Sequence, residues 1–164
     1  MSTLGLIHVV FGLLALLTGT LVLFIRKGTR YHRTLGHWYF GSMLGLNITA
    51  LLIYRLTGKF NFFHIAALFS LVFLVAGLSA VVFMRPRKVW VERHAYFMTG
   101  SYIGLLAAAA SEVTTRVPGW SLGLTAGLTS VIIIFGGVYL MTRRMPFTLE
   151  RFRPRQSRRE ESRG

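Results

Sequence analysis

His8, His37, His64 and His94 each stand near the start of one of four successive apolar stretches, and His32 occupies the basic turn ahead of the second. A neutral imidazole offers a metal one nitrogen lone pair, and two imidazoles on opposite sides of an iron fill the axial positions of a haem. An ionisable side chain at membrane depth is costly, which makes its presence a functional signal. With consecutive stretches running in opposite directions, His8 and His64 come out at one membrane face and His37 and His94 at the other. Each pair belongs to diagonal helices of an up-down bundle. The spacing predicts two bis-histidine sites for haem b, His8 with His64 and His37 with His94. Arg30, Arg33 and Arg93 are placed to meet propionates or lipid phosphates.

The elements that must carry these residues are transmembrane helices. The chain has 164 residues, 53% of them hydrophobic, and a mean hydropathy of +0.55, too apolar and too segmented for a soluble domain. Five runs of the length needed to cross hydrocarbon are expected at about 4–25, 35–56, 62–84, 89–111 and 120–141. The fold class is therefore all-α, a polytopic transmembrane bundle with an up-down four-helix core plus a fifth helix, occupying residues 1–141. Residues 142–164, rich in arginine and holding Pro146 and Pro154, read as a basic disordered cytoplasmic tail.

Of 19 lysines and arginines, only Arg55, Lys59 and Arg116 fall on one side of this arrangement. The rest lie in the 26–33 turn, around residues 85–93 and in the tail, which puts those segments in the cytoplasm and the N-terminus outside. The expected location is a prokaryotic inner (plasma) membrane. A formal net charge of +14 spread between apolar runs points to anionic lipid headgroups at the cytoplasmic face, not to nucleic acid. There is no cysteine, which excludes disulfides and thiolate chemistry.

Small residues recur along the first run at Gly5, Gly12, Ala15 and Gly19, which predicts either a helix packing seam or a slot for a flat cofactor beside His8. Asn47, near the centre of the second run, is expected to hydrogen-bond between helices. Glu112 and Arg116 are spaced for a local ion pair.

A first helix with spaced glycines, then Lys27-Gly28, the HRxxGH motif from His32 to His37, and the later Arg93-His94 resemble a group of prokaryotic predicted membrane proteins classed as a domain of unknown function. The resemblance runs over roughly residues 5 to 110 and implies a small polytopic bundle with no assigned activity. In pattern, the histidine layout is similar to two-haem membrane cytochrome b bundles, which implies electron transfer.

Two further classes compete with the cytochrome. One is a non-enzymatic membrane subunit or scaffold whose glycine seams hold a partner membrane subunit. The other is a small proton or solute transporter using Glu112, Asn47 and the histidines. Hydrolytic motifs such as GxSxG and HExxH are absent from the chain. Whether the protein is an enzyme is left open by the sequence.

Overall fold

The computed structural model describes residues 2–53, 58–84, 87–119 and 121–150, and among them it is entirely helical. The helices are α1 (Thr3–Phe24), α2 (Arg30–Leu52), α3 (Phe62–Phe83), α4 (Arg87–Thr114) and α5 (Leu122–Glu150). Three of them, α1, α3 and the Gly123–Glu150 stretch of α5, are long and apolar enough to cross a membrane by length and composition. The helices α2 and α4 are the more polar pair because they carry the interior hydrogen-bonding groups Ser42, Asn47, Thr49, Ser101 and Ser111, all buried.

Each helix packs on the next in sequence, α5 on α4 included, and α4 also meets α1. The innermost cluster joins Ala15, Tyr39, Met43, Leu74, Tyr102 and Leu105, with one residue each from α1 and α3 and two each from α2 and α4. The outward faces are apolar and exposed along every helix, as with Leu13, Phe69 and Ile132, the pattern expected where lipid replaces water as solvent.

Helix starts are set by side-chain caps. Ser2, Thr29 and Asn61 each accept a bond from a backbone N–H of the first turn, satisfying donors that have no partner within the helix. Thr29 moves the start of α2 back to Arg30, five residues ahead of the expected span, and so brings His32 into the helix. The turn before it closes through Gly28, whose φ of +79° is open to glycine without cost. Lys27 completes the turn by donating from Nζ to the carbonyls of Val22 and Leu23, which α1 leaves unpaired at its C-terminus. The helix α5 continues to Glu150, so 142–150, expected as the start of a disordered tail, is helical. Residues 151–164, the rest of that tail, lie outside the described residues, as do Arg55, Arg85 and Pro86.

The small-residue seam on α1 is a packing seam. A Cβ placed on Gly19 would lie 2.6 Å from the ring of Tyr102 and 2.9 Å from that of Tyr39, so two tyrosines fill the space a side chain would need. Gly45 receives the ring of Phe11 in the same way, Gly77 receives Met98 and Gly100 receives Phe73. Glycine lets an aromatic or thioether side chain reach the neighbouring backbone, which is where much of the dispersion contact in a lipid-embedded bundle is gained.

Candidate functional site

The interior stripe of α2 runs through His32, Tyr39 and Met43, and that of α4 through His94, Ser101 and Leu105. In each, successive members are seven and then four residues apart, a spacing that returns to the same face of a helix. The stripes face each other across the bundle. At mid-height the Tyr39 hydroxyl and Ser101 Oγ meet at 2.9 Å, and the rings of Tyr39 and Tyr102 lie 6.3 Å apart. Tyr102 in turn bonds Thr20 of α1 at 2.6 Å.

One level nearer the basic face, His32 and His94 meet with ring centroids 6.4 Å apart and planes at 84°. The helix α2 therefore brings His32, and not His37, to His94. The reason is angular: five residues turn the helix by about 140° beyond a full revolution, so His37 cannot share the stripe of His32. His37 is exposed on the α1 side of α2, where its Nδ1 bonds the carbonyl of Arg33 at 2.7 Å.

Proton positions on these rings follow from their partners. A carbonyl can only accept, so the 2.9 Å contact of His94 Nδ1 with the Gly77 carbonyl puts a proton on Nδ1 and, in the neutral ring, the lone pair on Nε2. The same holds for His37. Thr49 gives its single hydroxyl proton to the carbonyl of Gly45 or Leu46, so it accepts from His8 Nδ1 at 3.0 Å, and His8 also keeps a bare Nε2. His64 is the reverse case. Its Nδ1 accepts the backbone N–H of Asn61 at 3.3 Å in the cap of α3, which leaves the proton of its neutral ring on Nε2.

His8 and His64 thus have separate roles. The His8 ring is turned to Thr49 on α2, while buried His64 caps its own helix and packs its ring 5.0 Å from that of Phe60; α1 and α3 do not pack on each other. Near the basic face, Nδ1 of His32 is buried without a hydrogen-bond partner among the described residues. Burial, followed by the Lys27 and His94 charges, holds His32 below the ordinary imidazole value. It is therefore neutral near pH 7, the form that binds metal.

Nowhere among the described residues do three His, Asp or Glu come together, so no closed metal site is built from side chains alone. Asn47 bonds its own helix at Met43 O and reaches Ser70 of α3 at 3.3 Å, the interhelical role expected of it. Glu112 and Arg116 form the local pair at 2.5 Å, exposed to solvent. Arg30 and Arg33 are exposed in the first turn of α2, and Arg93 lines a shallow cleft with Glu92, Tyr96 and Phe97.

The sequence profile of the family described as Predicted membrane protein (DUF2306) matches residues 5–147, from the first turn of α1 nearly to the end of α5. The chain belongs to that family. The DUF2306 match takes in all five helices, both interior stripes and the HRxxGH motif, which extends the resemblance beyond the first four runs. No curated protein and no solved structure matches the chain.

The contact that spacing alone missed is His32 with His94. Its signal was Thr29, a capping residue three positions ahead of His32, which starts the helix early enough to put His32 on the interior stripe.

Proposed function

We propose that this DUF2306 protein is a five-span, b-type haem-binding electron-transfer protein whose axial ligands at the cytoplasmic side are His32 and His94. One observation carries the reading. The rings of His32 and His94 stand 6.4 Å apart with nearly perpendicular planes, near enough that the two side chains together would hold the iron of a haem. A direct imidazole–imidazole hydrogen bond would draw the centroids to about 5 Å.

The donor set agrees. Two neutral nitrogens with no carboxylate beside them cannot close the coordination of a bare divalent ion, but a macrocycle brings its own four nitrogens. The chain supplies an ordered partner for His94 Nδ1 in the Gly77 carbonyl, which would leave Nε2 to act as the ligand. It supplies open space at Gly36, one turn from His32 on the same face, where a Cβ would meet nothing within 4 Å. Lys27 lies close enough to act on His32, and the exposed Arg30 and Arg33 are near it in sequence; cations there would neutralise propionates. When bound, haem would supply one-electron chemistry.

The packing of α1 with α2, α2 with α3, α3 with α4 and α4 with α1 supports the four-helix core in which α2 and α4 are diagonal. The distribution of cations supports a cytoplasmic location for the 26–30 turn in a prokaryotic inner membrane, with anionic headgroups beside it.

The test is an absorption spectrum of detergent-purified protein expressed with haem available, oxidised and then dithionite-reduced. The reading expects a Soret band that sharpens on reduction with split visible bands, lost in His32→Ala and His94→Ala and kept in His64→Ala. A featureless spectrum of fully helical protein overturns it. Loss of the bands in His37→Ala with retention in His32→Ala would restore the pairing that spacing alone predicts.

A further inference from the structure

A cleft of about 520 Å³ opens between α1 and α2 on the outside of the bundle, lined by Phe11, Leu14, Thr34, His37, Trp38 and Gly41. Its size is that of a small-molecule site, and its composition is too: apolar walls with a few polar groups in one place. Trp38, 62% exposed, and Gly41, where a side chain would meet nothing within 4 Å, both line the cleft. Leu14 and the neighbouring Leu13 and Leu17 are exposed around it, which makes the cleft accessible from lipid. His37 stands about 10 Å along the helix from Arg30, the depth at which headgroups give way to hydrocarbon.

Three polar side chains line the cleft, Thr34, His37 and Ser42, all on α2. The Nδ1 proton of His37 is committed to the Arg33 carbonyl at 2.7 Å, so in the neutral ring the lone pair is on Nε2. It accepts from a hydroxyl, and the Thr34 and Ser42 hydroxyls beside it can each donate to or accept from the same ligand oxygen. Phospholipid tails bring no donor to this depth. A flat, lipid-soluble ring bearing a hydroxyl fits both features, since the ring stacks on Trp38 and its O–H donates to His37.

We infer that the α1–α2 cleft binds the hydroxylated ring of a membrane-dissolved quinol, with His37 Nε2 accepting its hydroxyl proton in a hydrogen bond and Trp38 stacking on the ring. This goes beyond the haem reading and does not depend on it, because the cleft is complete without a metal. Such a molecule is the class of lipid-soluble electron carrier that a membrane electron-transfer protein would meet from the side.

The experiment uses haem-free full-length protein in phosphatidylcholine nanodiscs, with Trp90→Phe and Trp120→Phe so that Trp38 is the sole fluorophore. Decylubiquinol and its dimethyl ether, which keeps ring and chain but has no O–H, are titrated in turn under reducing conditions. A saturable change in Trp38 emission is expected for both, with the quinol about tenfold tighter, the effect of one hydrogen bond. His37→Phe should abolish the difference between the two probes, and His37→Gln, whose amide oxygen still accepts, should retain part of it. Gly41→Leu should weaken both at least about tenfold by filling the cleft, at an exposed position where folding is not disturbed. Equal affinity for the two probes, a linear unsaturable response, or indifference to Gly41→Leu overturns the proposal. Saturable, His37-dependent quinol binding by a protein that shows no haem spectrum upholds it and removes only the haem reading.

Discussion

The hydroxyl of Tyr39 donates to Ser101 Oγ at 2.9 Å, tying α2 to α4 at the centre of the bundle although the two helix backbones stay more than 8 Å apart. The direction is settled because Ser101 gives its own proton to the Met98 carbonyl at 2.9 Å. Both residues are buried, at 3% and 1% exposure. This bond spans the interval directly above His32 and His94 on the same two stripes, so it holds the helices that present the imidazoles.

Removing either partner should therefore not cost the same. Ser101→Ala leaves a buried Tyr39 hydroxyl with no acceptor and should destabilise by about 1–3 kcal/mol, whereas Tyr39→Phe leaves Ser101 bonded to Met98 and should cost about 1 kcal/mol. The double variant should be no less stable than Ser101→Ala, since the orphaned hydroxyl is gone. Thermal unfolding in detergent of the two single variants and the double variant measures this, and equal losses in the two singles would show that the bond is not made as described.

Glycines on packed and open faces should respond with opposite signs. Gly19→Ala drives a methyl into the rings of Tyr102 and Tyr39 and should cost about 1–3 kcal/mol through displaced side chains. Gly127→Ala, inside α5 where a Cβ meets nothing within 4 Å, should stabilise by up to about 1 kcal/mol by removing backbone freedom from the unfolded chain. Comparing denaturation midpoints of the two variants with the parent checks both signs in one experiment.

The stability of the haem-free protein should fall as pH drops from about 7 to 5. Burial first, then the Lys27 and His94 charges, hold His32 below its ordinary value of 6.5, so below that value the unfolded chain binds a proton that the folded chain does not. The unfolded state then carries more protons, and stability must rise with pH through this window. His32→Phe should flatten the slope relative to wild type. A variant with an undiminished slope would remove His32 as its source.

Orientation can be read by chemistry because the chain contains no cysteine. A membrane-impermeant maleimide applied to intact cells should label Val117→Cys, at the exposed α4–α5 turn, and should reach Arg30→Cys only after the membrane is opened. The reverse pattern would place the basic turn outside and invert the bundle.

Composition and run length were enough to establish an all-helical membrane protein, because hydrocarbon permits little else and the cost of an unpaired backbone group there is written directly into residue type. The positions of α1 and α3 followed within a residue or two, since their ends coincide with the ends of apolar runs. The far end of α5 did not, because a helix leaving the membrane can continue as a polar one, and 142–150 does. The glycine spacing on α1 marked a seam but left open what enters it; Tyr39 and Tyr102 come from helices distant in sequence.

Which histidines meet was likewise beyond the linear pattern. Periodicity places His32, Tyr39 and Met43 on one face and His37 on another only once the start and phase of α2 are known, and Thr29 sets that start through a hydrogen bond that hydropathy does not register. The pairing of His32 with His94, the bare Nε2 of His37 and the cap that engages His64 each depend on a partner supplied by the fold: the opposite stripe, the Arg33 carbonyl one turn back, the Asn61 amide. Residue type says that an imidazole can bind a metal or a proton, and the tertiary neighbours decide which nitrogen is left to do it.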